Sequence, residues 1–162
     1  MTYVPLDRRF VAWREEEDSP IQRLRDRRLY ADDIDWSELQ KQHRVVILAE
    51  AGSGKTEELR AQARALTSEG SFAFYTTVHN AAIEGFAESL PDAERGRLAA
   101  WLVSDKPAWF FIDSFDEAKL GRIQLSTALR KVADAIASGL RRAHVVLSGR
   151  ITIAIFRRVR SC

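Results

Sequence analysis

Cysteine is almost missing from this chain: the single Cys162 is the last of 162 residues. A disulfide framework within the chain is therefore excluded. Histidine is nearly as scarce, and His43, His79 and His144 stand far apart without His or Cys partners at metal-ligand spacing, which argues against a transition-metal site. Long apolar runs are absent too. The opening MTYVPLDRRF has no apolar signal core, and no run approaches membrane-spanning length. The expected setting is cytoplasmic, with no membrane partner. Charge of one sign is also lacking, since 25 Lys and Arg stand against 23 Asp and Glu for a net +2. Arg141, Arg142, Arg150, Arg157, Arg158 and Arg160 do crowd the last quarter, and they read as a solvated basic surface rather than a nucleic-acid interface.

What is present is ordinary globular material. The apolar share of 46% and the charged share of 30% disfavour disordered and fibrous classes. The length suits one domain with a real core. There is no internal repeat and no low-complexity segment.

Character changes along the chain. Residues 1–43 are charged and aromatic, with REEED at 14–18 and RLRDRR at 23–28, and read as two short helices or a helical linker. Asp35 or Ser37 could cap a turn running through Leu39. At Val45 the run VVILA is β-branched and too short for a helix, so it reads as a buried parallel strand. A helix over EELRAQARALTSEG follows, with Leu59, Ala63 and Leu66 on one face and Gly70 as its stop. SFAFYTT (71–77), AWFFID (108–113) and AHVVLS (143–148) read as three further strands. Between the first two lie helical stretches AAIEGFAESL and DAERGRLAAWLVSD, split by Pro91, with Asp92 as a cap. Leu125, Leu129, Val132, Ile136 and Leu140 mark one apolar helical face that Gly139 helps to end. Alternating strands and helices predict an α/β fold with a parallel sheet of about four strands.

The first strand leads into AEAGSGKT. Gly52 and Gly54 permit backbone conformations that turn consecutive N–H groups inward as an anion nest. The following helix adds its positive dipole end. Ala51, Gly52, Ser53, Gly54, Lys55 and Thr56 are the candidate nucleotide-binding residues, with Lys55 reaching the β- and γ-phosphates and Thr56 ligating magnesium. Ala49 replaces the Gly that opens the usual G-x-x-x-x-G-K-[ST] pattern. Its methyl group sits at the strand exit and need not face the phosphates. The relaxed pattern arises by chance in roughly one chain in a hundred of this length, and the flanking strand and helix supply the context that chance does not.

FFIDSFDEA, residues 110–118, is the second element. An apolar strand ending in Asp113 would set a carboxylate beside the loop as a magnesium ligand. Asp116 or Glu117 would orient or deprotonate the attacking water. The longer reach of glutamate favours Glu117, leaving Asp116 as a cap for a helix beginning near Lys119. Arg150, after the fourth strand, reads either as a sensor of the terminal phosphate or as a surface arginine.

Together AEAGSGKT, FFIDSFDEA and HVVLSGR resemble the NACHT branch of the STAND signal-transducing P-loop ATPases, over about residues 43–150. The D-x-x-D-E arrangement of Asp113, Asp116 and Glu117 carries the likeness, with Ser114 where the family often has Gly, and Arg150 matches its first sensor. The resemblance implies a three-layer P-loop NTPase core and a switch that holds ADP at rest and exchanges it for ATP. It also implies slow magnesium-dependent hydrolysis and self-association or docking within a larger receptor or effector, in many bacterial members in defence against phage. The expected organisation is a linker (1–43), a core (44–150) and a tail (151–162). Family members continue past the sensor arginine with a fifth strand and helical subdomains, where this sequence has only ITIAIFRRVRSC. The tail reads as a truncated end or as a makeshift edge strand inviting self-association. Two other readings stand beside the switch: a non-hydrolysing module stabilised by nucleotide, and an AAA+ type DNA-handling ATPase. A guanine-specific N-K-x-D motif is absent. Tyr30, Ile34 and Trp36 precede the first strand, where related folds contact the adenine base; they could pack on the ring, but read rather as cover for a sheet edge. Trp101 and Trp109 read as core or interface aromatics.

Overall fold

Four apolar runs become four parallel strands: β1 (Arg44–Ala49), β2 (Phe72–Thr77), β3 (Ala108–Phe115) and β4 (Ala143–Arg150), in the spatial order β1-β4-β3-β2. The computed structural model describes Phe10 and residues 34–49, 52–115 and 122–150, with backbone alone at 114, 115, 122–124 and 150. The helices read from REEED and RLRDRR, the helix start near Lys119 and the strand read from ITIAIF lie outside the described residues. The chain divides between Gln42 and His43 into two units.

In the first unit, Asp35 caps a single turn, α1 (Trp36–Leu39), by accepting from the Glu38 amide at 3.0 Å. Ser37, the alternative cap, instead donates to Asp35 Oδ1 at 2.7 Å. Phe10 and Ile34 exchange backbone hydrogen bonds, and the Phe10 ring meets Trp36 edge-on at 5.1 Å.

The second unit holds the sheet. Side chains alternate across its two faces. Phe74, Phe110, Ile112 and Leu147 join the main apolar cluster with Val78, Leu98, Trp101, Val132 and Ile136. These come from α3 (Val78–Ile83), α4 (Asp92–Leu102), α5 (Arg122–Ala135) and the bend after it. Ala73, Phe111 and Val146, at the intervening positions, are also buried. Their face belongs to α2 (Lys55–Ser68), which packs on β2 and β3 with Leu59, Ala63 and Leu66 buried. Helices thus cover both faces of β2 and β3, as buried parallel strands require, whereas in β1, read from the sequence as buried, Val46 is 61% and Leu48 45% exposed among the described residues. Phe110 centres the main cluster, with Phe74, Phe86 and Trp101 rings at 5.3, 5.5 and 5.1 Å.

Helix ends follow local chemistry, and several depart from the sequence reading. Gly70 stops α2 as expected: at φ 82° it carries a paired closure, Ser71 N–H to Leu66 and Gly70 N–H to Thr67. The helix expected over AAIEGFAESL is different. It starts earlier, because Thr77 accepts from the Asn80 amide as its cap, and it stops at Ile83 before Gly85 turns to φ 104°. Asp92 is the first helical residue and not the cap, which is Pro91; its carboxylate pairs with Arg95. The apolar face expected through Leu140 also ends early. α5 gives way to a 3-10 turn, Ala137–Arg142, and Leu129 and Leu140 remain exposed. Gly139 lies inside that turn, where a Cβ would sit 2.4 Å from the Trp101 ring. The glycine is there for close approach, not as a helix stop. β3 runs two residues past Asp113, with a register shift against β4 between Ile112 and Phe115, so Asp113 lies within the strand and does not end it.

Candidate functional site

The turn between β1 and α2 is built on two glycines in the left-handed region, Gly52 at φ 75° and Gly54 at φ 80°, a conformation that costs other residues about 1–2 kcal/mol. Gly54 occupies the N-cap and offers no side-chain acceptor to the first turn of α2. Those amides, with the dipole behind them, form a positive surface facing the loop. Lys55 folds back across it: its ammonium donates to the Ala49 carbonyl at 2.8 Å and to Ser53 Oγ at 3.1 Å. A cation is therefore held over the loop by oxygens of the loop itself. Thr56, half-buried, is the second residue of the helix.

Glu57 and Glu58 both lie in the first turn of α2, but their surroundings differ. Glu57 pairs with Arg60 at 2.9 Å at the surface, whereas Glu58 is only 2% exposed.

Asp113 is the second centre. It is 1% exposed and lies on the α2 side of the sheet. Ser148 of β4 donates to its Oδ1, and Tyr75 of β2 donates to its Oδ2 at 3.1 Å. Three neighbouring strands thus contribute one carboxylate and two hydroxyls to the same face. The Tyr75 phenol is pushed up to about 12, first by burial and then by the adjacent Asp113 charge. The Arg60 guanidinium stands 5.0 Å over the Tyr75 ring and partly opposes that shift.

The strand order brings the remaining candidates toward this end of the sheet. Ala49 is in register with Arg150, and Leu48 and Phe115 both face Gly149 across the ladder. The backbones of the loop strand and of Arg150 are therefore neighbours. Ala51, Asp116 and Glu117 lie outside the described residues, as does the Arg150 side chain. Sequence reasoning missed Tyr75 and Ser148 as partners of Asp113. Their signal was available in the alternation of the strands: both are hydroxyl residues near strand ends, on the face that carries Asp113.

Among the described residues no three His, Cys, Asp or Glu side chains gather as a metal site, and no helix is long and apolar enough to cross a membrane. A hard cation held by one carboxylate, a threonine hydroxyl, water and phosphate oxygens needs no such cluster, and the oxygen chemistry of Thr56 and Asp113 suits one. What the geometry defines is an α/β unit with a four-stranded parallel sheet and a glycine loop opening a helix at one end. No protein-family model matches the chain, and no curated protein matches it.

Proposed function

We propose that this chain is an ATP/ADP-binding switch module of the NACHT/STAND type, built on a P-loop NTPase core. Ala51, Gly52, Ser53, Gly54, Lys55 and Thr56 bind the phosphates. Thr56 and Asp113 hold magnesium, and Glu117 or Asp116 serves slow hydrolysis. Arg150 senses the terminal phosphate. The observation that supports this reading best is the Lys55 ammonium held across a two-glycine loop at the N-terminus of a helix. Phosphate oxygens arriving there would replace the Ala49 and Ser53 oxygens as its partners, so the lysine is already aimed. Support also comes from the strand order, in which β4 lies between β1 and β3. It brings the Asp113 strand and the loop strand to one end with a single strand between them.

When bound, magnesium would bridge phosphate oxygens and offset their charge. The protein side of the arrangement is positional. Ser148 and Tyr75 fix the Asp113 carboxylate by donating to one oxygen each.

Calorimetric titration of the chain with ATP and with ADP, magnesium present, tests the reading beside Lys55→Ala. Saturable binding that the variant loses supports it, and phosphate release then separates a slow ATPase from a non-hydrolysing module. Absence of binding by the unaltered chain overturns it.

A further inference from the structure

The outer side of α2 carries a second feature that the phosphate loop does not use. A groove of about 420 Å³ runs between α2, the edge strand β2 and α4, within the roughly 300–1,000 Å³ typical of small-molecule sites. Three guanidinium groups converge on it: Arg60 and Arg64 from successive turns of α2, and Arg97 from α4. The one carboxylate among them is Glu94.

The arginines are held in different ways. Arg97 is anchored, donating to the Ser71 carbonyl at 2.9 Å and to Thr67 Oγ1 at 3.3 Å. Arg60 pairs with Glu57 and covers the Tyr75 ring. Arg64, one turn beyond Arg60, is exposed and makes no ion pair among the described residues. Anchored donors on two sides and an extendable one between them form a cationic cup rather than a solvated stripe.

Glu94 sharpens the reading. Its Oε2 is sheltered from solvent and has no hydrogen-bond partner among the described residues. Burial pushes its carboxyl upward, against the opposing charge of Arg97. Its unpaired Oε2 is an acceptor that the hydroxyl of a hydrogen phosphate can meet.

We infer that this groove is a binding site for a small phosphorylated molecule, distinct from the phosphate loop. A planar carboxylate is satisfied by a single guanidinium fork, whereas a phosphoryl group accepts from several directions and matches three forks with the Thr67 hydroxyl. The concave shape and its size fit a small molecule better than a nucleic-acid backbone, which asks for an open basic track. Tyr75 lines this groove and donates to Asp113, so an occupant also touches the residue that orients the candidate metal carboxylate.

The test uses the Lys55→Ala chain, so that phosphate binding at the loop is suppressed. Backbone amide spectra are recorded during titration with inorganic phosphate, and with acetate at matched ionic strength. The expected result is saturable movement of the Arg64, Thr67, Ala73 and Arg97 amides with phosphate and not with acetate. Arg64→Glu, an exposed site that leaves the fold intact, should weaken this at least about tenfold, the loss of a charge-assisted pair. Arg97→Lys keeps the charge but removes the fork and should weaken it as well. Equal response to acetate, unsaturable shifts, movement confined to residues 52–56, or unchanged affinity in Arg64→Glu would each overturn the site. Nucleotide binding by the unaltered chain is a separate measurement, so failure here is distinguishable from failure of the switch reading.

Discussion

The hydroxyl of Tyr75 donates to Asp113 Oδ2 at 3.1 Å and joins the edge strand of the sheet to the buried carboxylate of its neighbour. An aspartate buried without donors would be costly to ionise, and Tyr75 and Ser148 together supply one hydrogen bond to each of its oxygens. The strands flanking β3, one on each side, thus each donate one hydrogen bond to the Asp113 carboxyl.

This pairing predicts an abnormal tyrosine. The folded state holds the Tyr75 proton up to about 12, whereas the unfolded chain releases it near pH 10. The favourable contribution is full below about pH 10 and is lost as pH rises through about 12. Tyrosinate absorbance should show one of the three tyrosines titrating late, and Tyr75→Phe should delete that step. In Asp113→Asn the step should move down toward the ordinary value. Simultaneous titration of all three near pH 10 would contradict the contact.

Ser148→Ala removes the donor to Asp113 Oδ1 at a residue that is itself 1% exposed. Leaving a buried acceptor short of a partner costs about 1–3 kcal/mol, and the loss should appear as a lower midpoint in urea. Because both changes act on the same hydrogen bond, Asp113→Asn with Ser148→Ala should cost less than the two single changes added together. Strict additivity would mean that the two side chains do not act on one another.

Two glycines should respond in opposite directions to the same change. At Gly139 an added methyl meets the Trp101 ring at 2.4 Å. That ring cannot easily yield, since its Nε1 donates to the Lys106 carbonyl at 2.8 Å and Arg142 covers its face at 4.7 Å. Gly139→Ala should therefore destabilise by about 1–3 kcal/mol and shift the tryptophan emission. Gly96 lies inside α4 with nothing within 4 Å of an added Cβ, so Gly96→Ala should stabilise by about 0.5–1 kcal/mol. Denaturation midpoints of the two variants check both signs at once.

The strands were readable because parallel strands are written as continuous apolar runs, and VVILA, SFAFYTT and AWFFID each stand out from their flanks, although Val46 and Leu48 of the first are exposed and not buried. The stop at Gly70 was readable for a local reason, the left-handed closure that glycine allows. The stop at Gly85 was not, because apolar spacing in AAIEGFAESL continues past the point where the backbone leaves the helix. Gly139 misled in the opposite sense: its role is set by Trp101, which is remote in sequence. Asp113 was visible as a carboxylate after an apolar run. Its hydrogen-bond partners lie 38 and 35 residues away on other strands, and they emerge only when strand order and facing side are combined.

Lys55 should separate stability from binding. Its ammonium bonds loop oxygens at Ala49 and Ser53, and it is half-buried rather than part of the core. Lys55→Ala should therefore leave the melting temperature of the nucleotide-free chain within a few degrees of its original value, about the effect of 1 kcal/mol or less. Nucleotide changes the comparison. If the loop binds ATP with magnesium, the unaltered chain gains about 2.7 kcal/mol at one hundred times the dissociation constant, and its melting temperature rises accordingly. The variant should show no rise at the same concentration. A large drop in the nucleotide-free variant would instead mean that Lys55 holds the loop in shape, and an equal rise in both proteins would mean that ATP binds somewhere other than this loop.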